Sequence, residues 1–205
     1  MAFSYVGVSP NQKVRNSGVL SLDDLNNLES TGELGGSLQH ISTTTFSSSS
    51  AVNITEGFKG YDVFFAQVLG LSGSGNMNFG MQFYESGVLE TAGVYQYAQE
   101  YIQSDGGRNE EGSSNASRLV MNSLQSTDSC GLYIYFYNFT DSSRLSYYTF
   151  QNAPSYVADF ETKFGGGCLS QASVVDGVSF TPNTGTISGT IKLYGVKKIW
   201  VILDY

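Results

Sequence analysis

Residues 131–150 read GLYIYFYNFTDSSRLSYYTF, and this stretch decides the fold. From Gly131 to Phe139 the chain has its most hydrophobic strand-like run, dense in aromatic and β-branched side chains that fit a pleated surface. Thr140-Asp141-Ser142-Ser143 has the composition of a turn, and Arg144 to Phe150 forms a second run, so the pair predicts a β-hairpin. Successive side chains of a strand point to opposite faces, which puts Tyr133, Tyr135 and Tyr137 in register on one face. Such a stripe either fills a sandwich core, its commoner fate, or forms a platform on which sugars stack or a partner anchors.

The same punctuation extends in both directions. Residues 38–46 alternate loosely through Leu38, His40, Thr44 and Phe46, and the serine run 47–50 reads as a turn or exposed loop. Tyr61 to Leu71 is a continuous apolar run bounded by glycines, the mark of a strand buried on both faces or at a sandwich centre. Asn78 to Tyr84 alternates Phe79, Met81 and Phe83 against Gly80 and Gln82, and Val94 to Ile102 repeats the alternation with Tyr95, Tyr97 and Tyr101. Ser104 to Ser117 has no periodicity and reads as a long exposed loop, the kind of segment that carries function in compact domains. Its candidate receptor-facing residues are Tyr101, Asp105, Arg108 and Asn109. Leu119 to Leu124, Val174 to Phe180 and Thr186 to Tyr194 are further strand candidates, the last two split by the turn Pro182-Asn183-Thr184-Gly185.

Eight or more short strands with turn signals roughly every 8–12 residues predict an all-β protein, an antiparallel β-sandwich of jelly-roll or concanavalin-like type. Residues 38–205 are expected to form it. Residues 1–37 differ and read as an attachment arm. There Ser21 caps a short α-helix of about nine residues, with Leu22, Leu25 and Leu28 on one stripe. A helix this short needs a docking surface, and the terminal run Ile199-Trp200-Val201-Ile202-Leu203 is too apolar for a free edge. Leu22, Leu25, Leu28, Ile199, Trp200 and Val201 are therefore the expected assembly interface, and a homo-oligomer, a trimer, is the expected state.

Composition narrows the chemistry. The 205 residues hold 14 Tyr, 13 Phe and 24 Gly, with a formal net charge of -8. The ten Lys and Arg are scattered apart from Lys197-Lys198, so there is no concentrated positive field for nucleic acid, and an anionic membrane would repel the chain. The first residues lack a basic start followed by an apolar stretch, and no run approaches the roughly 20 apolar residues that span a bilayer, so assembly in the host cytoplasm without membrane insertion is expected. Cys130 and Cys168 are expected to be structural thiols.

No catalytic, cofactor-binding or metal site is expected. His40 is the single histidine and reads as a plain strand residue, and a zinc site would need ligands from three distant segments. Glu85 with Glu90, or Glu100 with Asp105, are the carboxylate pairs that glycoside hydrolysis would require, if space rather than sequence brought them together. Gly165-Gly166-Gly167 lacks the Lys and Ser or Thr of a phosphate loop and reads as a flexible turn.

The string Ile187-Ser188-Gly189-Thr190-Ile191-Lys192-Leu193-Tyr194-Gly195-Val196 resembles the closing strand of virion structural proteins of tailed phages of aquatic bacteria, cyanophage-like in type. Asn16 to Ser21, Gly35-Gly36-Ser37-Leu38-Gln39, Tyr61-Asp62-Val63 and Gly131 to Tyr137 followed by Asp141-Ser142-Ser143 are similar to the same group. The likeness covers most of residues 16–196. It implies a sandwich used on fibres, knobs and head decorations, usually without enzymatic activity. The chain departs from the group at its end, where Lys197 to Tyr205 adds an apolar tail, and its place within the particle stays open.

The expectation is a non-catalytic structural protein on the outer surface of a tailed-phage virion, partnered by capsid or tail proteins. The other reading is a carbohydrate- or receptor-binding module of a tail fibre, with a host-surface glycan as its partner. An exposed aromatic cluster beside residues 104–117 would favour that second reading.

Overall fold

The computed structural model describes Asp23 and residues 37–124, 129–154 and 160–196. Those residues form thirteen strands in two antiparallel sheets, a β-sandwich. The larger sheet has eight strands in the order β1 (Leu38–Ser49), β13 (Ile187–Val196), β3 (Val63–Gly73), β9 (Cys130–Tyr137), β10 (Leu145–Pro154), β11 (Glu161–Ala172), β6 (Tyr95–Gln103) and β7 (Arg108–Ala116). The smaller has five: β2 (Val52–Ile54), β12 (Val175–Pro182), β4 (Met77–Glu85) and, along the far edge of β4, β5 (Val88–Leu89) and β8 (Leu119–Leu124).

The hairpin expected over 131–150 is β9 and β10, in register from Tyr137 opposite Tyr147 to Cys130 opposite Pro154. Asn138 turns the chain with a φ of 62°, and Asp141 then accepts the Ser143 backbone N–H at 2.9 Å, a local bond that Asp offers readily in turns. Between the sheets, Phe58, Phe64, Phe83, Phe136 and Phe139 share one aromatic cluster with ring centroids 4.9–6.4 Å apart. Each well-placed aromatic pair adds about 0.5–1.5 kcal/mol beyond burial of its surface.

Polar groups also tie the sheets together. The Tyr95 hydroxyl accepts the Phe83 N–H at 2.8 Å and donates to the Glu90 carbonyl at 3.0 Å. Asn152 donates to the Met121 carbonyl at 3.1 Å and accepts the Lys163 N–H at 2.9 Å. Lys163, only 3% exposed, sits over the Tyr101 ring at 4.9 Å with Glu161 at 3.8 Å.

Several expectations need correction. Residues 104–117 are not a long loop: a tight turn ends at Gly107, and β7 pairs with β6 from Arg108 to Ala116. As an edge strand β7 has little core to face, so it carries no apolar alternation and is held by its ladder and by the Arg108–Glu100 ion pair. Gly165-Gly166-Gly167 is not a turn but the middle of β11, flanked by β10 and β6. Ser47 to Ser49 continue β1. The run from Tyr61 is buried on one face only, since Phe64, Ala66 and Val68 enter the core while Phe65 and Gln67 stay half-buried on the other side. The N-terminal helix, apart from Asp23, and the assembly residues Leu22, Leu25, Leu28, Ile199, Trp200 and Val201 lie outside the described residues.

Candidate binding face

The register of the larger sheet carries one row of side chains across its outer surface: His40, Tyr194, Phe65, Tyr135, Thr149, Gly166 and Ala98 are successive neighbours. The adjacent rows bring Gln67, Tyr133, Gln151 and Phe164 together on one side, and Val63, Tyr137 and Tyr147 on the other. Leu132, Ile134 and Phe136 point the opposite way and are buried, so the tyrosine stripe of β9 is surface and not core. The rings touch in a chain. Phe65 lies 4.9 Å from Tyr135, 5.9 Å from Tyr194 and 6.3 Å from Tyr133, and His40 meets Tyr194 edge-on at 5.5 Å. Tyr133 is 40% exposed, Tyr147 43% and Phe164 40%, an unusual density of open aromatic surface.

Glycine opens two hollows in this face. One, of about 250 Å³, lies over Gly131 and Ala153 and is framed by Phe65, Tyr133, Gln67 and Gln151. The Tyr133 hydroxyl donates to Gln151 Oε1 at 2.6 Å, which fixes both side chains on its rim. The other, wider and shallower at about 500 Å³, lies over Gly166 between Tyr147, Thr149, Gln96 and Ala98. The two meet along β10, where Gln151 and Thr149 are consecutive outward positions about 7 Å apart.

The four residues expected to face a receptor gather at the β6–β7 end but do not share a surface. Arg108 pairs with Glu100 at 2.5 Å on the outer side. Asp105 lies in the turn and accepts the Gly107 N–H at 2.8 Å. Tyr101 stands opposite Asn109 on the inner side and packs under Lys163. The exposed aromatic cluster is therefore present, but centred on β13, β3 and β9 rather than beside residues 104–117. Tyr95 is wholly buried.

The carboxylate pairs separate into two cases. Glu100 and Asp105 each hold a different partner. Glu85 and Glu90 do converge, because Gln171 Nε2 donates to both, at 2.5 and 3.0 Å. The Ala92 backbone N–H, 2.7 Å from Glu90, holds that carboxyl below its ordinary range, the reverse of what a general acid needs. Neither hollow is lined by Glu85 or Glu90. His40 bonds Thr43 at 2.8 Å, as a strand histidine would. Cys130 is buried in β9, and burial pushes the half-buried Cys168 thiol upward. Among the described residues, no group of three or more His, Cys, Asp or Glu is placed to hold a metal ion.

Phe65, Tyr194, Gln67, Gln151 and Gly131 were not candidates in the sequence. They come from the β9–β10 hairpin and from β3 and β13, which lie far from it in the chain, and the register unites them. No protein-family profile matches the chain, and no curated protein or solved structure matches it either.

Proposed function

We propose that this chain is a non-catalytic structural protein on the outer surface of a tailed-phage virion, a head decoration or a part of the fibre or tail. One observation carries the reading. Of the segments that resemble phage virion proteins, residues 16–21 and 35–36 lie outside the described residues, while 37–39, 61–63, 131–137 and 187–196 belong to or lead into four neighbouring strands, β1, β13, β3 and β9. Gln39, Tyr61 and Gly195, one from each of three segments, meet at a single point: Tyr61 donates to Gln39 at 2.6 Å, and Gln39 pairs with Gly195. Capsid or tail proteins are the expected partners, and a homo-oligomer, a trimer, the expected state.

Labelling of intact particles with gold-conjugated antibody against the β-domain tests this, together with the protein composition of purified virions. Label on the head or tail surface is expected. A protein abundant in infected cells but missing from purified particles would defeat the proposal.

The second reading, a carbohydrate-binding module for host attachment, is favoured by the exposed Phe65–Tyr133–Tyr135 cluster and the amide side chains beside it.

A further inference from the structure

We infer that the hollow framed by Phe65, Tyr133, Gln67 and Gln151 is a binding site for a neutral oligosaccharide, an inference that rests on the second reading above. Its lining has the two kinds of group that such a ligand needs. The rings of Phe65 and Tyr133, 6.3 Å apart and tilted by 38°, offer apolar faces to the C–H side of a sugar ring. The amides supply the polar complement. Gln151 Oε1 is occupied by the Tyr133 hydroxyl, which leaves its NH₂ to donate, while Gln67 makes no side-chain hydrogen bond among the described residues and offers both donor and acceptor. Hydroxyl groups on neighbouring sugar carbons can satisfy both.

Among the described residues no ionised side chain lines the hollow, so none of them there recognises a charged ligand. A nucleic acid is further disfavoured by the net charge of -8. An apolar protein surface seated here would bury the Gln67 and Gln151 amides without partners, at about 1–3 kcal/mol for each group left unsatisfied. The second hollow continues the first along β10, with Tyr147 at its wall and the Gly166 gap as its floor. An oligosaccharide lying along β10 fits this continuity better than a single sugar.

Gly131 supplies a clean test. Among the described residues a Cβ there would have only the Val68 carbonyl within 4 Å, at 3.8 Å, so a larger residue intrudes on the hollow and not on its described neighbours. The experiment screens the full chain on an array of short neutral and acidic oligosaccharides and titrates the best ligand by calorimetry. Binding to a neutral oligosaccharide is expected, weakened about tenfold or more by Tyr133→Ala and by Gly131→Val. Val88→Ser, on the exposed β5, should leave it unchanged. Circular dichroism confirms that each variant folds. Binding to acidic sugars alone, no binding to any saccharide, or affinity unmoved by either variant overturns the inference. So does concentration-dependent self-association that Tyr133→Ala abolishes in a protein that binds no sugar, since a second copy would then occupy the face. Virion incorporation is read separately from particle composition, so failure of one reading does not disguise failure of the other.

Discussion

The ring of Tyr61 fills the space that a side chain on Gly195 would need. The same ring stands edge-on to Phe64 at 5.8 Å, and its hydroxyl reaches Gln39 on β1. One tyrosine thus bolts the entry to β3 onto β13 and the edge strand β1.

Gly195→Ala should accordingly destabilise the protein by about 1–3 kcal/mol through overpacking. Tyr61→Ala combined with it should cost less than the sum of the two single changes, because the ring that is struck has gone. Urea midpoints of the four proteins measure this, and strict additivity would show that the two residues do not meet.

Tyr95→Phe leaves the buried Phe83 N–H without its hydroxyl acceptor, while the Glu90 carbonyl keeps Gln82, and should cost about 1–3 kcal/mol. Burial raises the Tyr95 phenol well above its ordinary value. Its contribution is therefore complete below about pH 10, where the unfolded chain's tyrosine titrates, and is lost as pH rises toward the folded value. Stability measured between neutral and strongly alkaline pH should fall less steeply in the variant. A residual slope should remain, since burial raises Tyr148 in the same way.

At the acid end the sign reverses. Glu90 is held low, first by the Ala92 amide, so its stabilisation is present above the ordinary carboxylate range and disappears as pH falls through its depressed folded value. Glu90→Gln should lower the urea midpoint at neutral pH and flatten its acid dependence, so that variant and parent converge at low pH. An unchanged acid profile would mean that the Ala92 contact does not hold the charge.

Two glycines of the larger sheet, on the strands either side of β10, should respond oppositely. A Cβ on Gly165 would lie 2.5 Å from the Ala98 carbonyl and 2.7 Å from Gln99 Cα, backbone atoms fixed in the ladder, so Gly165→Ala should destabilise by about 1–3 kcal/mol. Gly131→Ala meets open space and should stabilise by about 0.5–1 kcal/mol, the ordinary gain of alanine over glycine within a strand. Equal effects from the two would contradict the packing.

Purified protein should release no reducing ends from host polysaccharide. Glu85 and Glu90 are close enough to act together, but both are tied to Gln171, and Glu90 is biased against holding a proton. Measurable release that Glu85→Gln or Glu90→Gln abolishes would replace the non-catalytic reading with a hydrolase.

The hairpin of β9 and β10 was legible because a two-residue period and a turn with Asp141 agree. β7 was not, because a strand at the sheet margin needs no apolar alternation, and Arg108, Glu110 and Glu111 look like loop residues. The glycines of β11 were misread for a related reason: glycine is permissive, and its extended state is imposed by close-packed neighbours that are distant in sequence. For the tyrosine stripe, the periodicity separated Tyr133, Tyr135 and Tyr137 from Leu132, Ile134 and Phe136 without saying which set was buried. The hydroxyls were the available clue, since a buried tyrosine needs a partner for its O–H and a surface one does not.

Because β13 lies between β1 and β3, the sheet cannot close until residues 187–196 have been made. A nascent chain holds β9, β10 and β11 as consecutive neighbours early, while β1 and β3 wait for a strand that arrives more than a hundred residues after either. Pairings of such long sequence separation are slow, and unpaired strands in the interval invite contact with other chains. Completion of the domain therefore waits on the synthesis of β13, and termination anywhere before Ile187 leaves two open edges in the middle of what should be a continuous sheet.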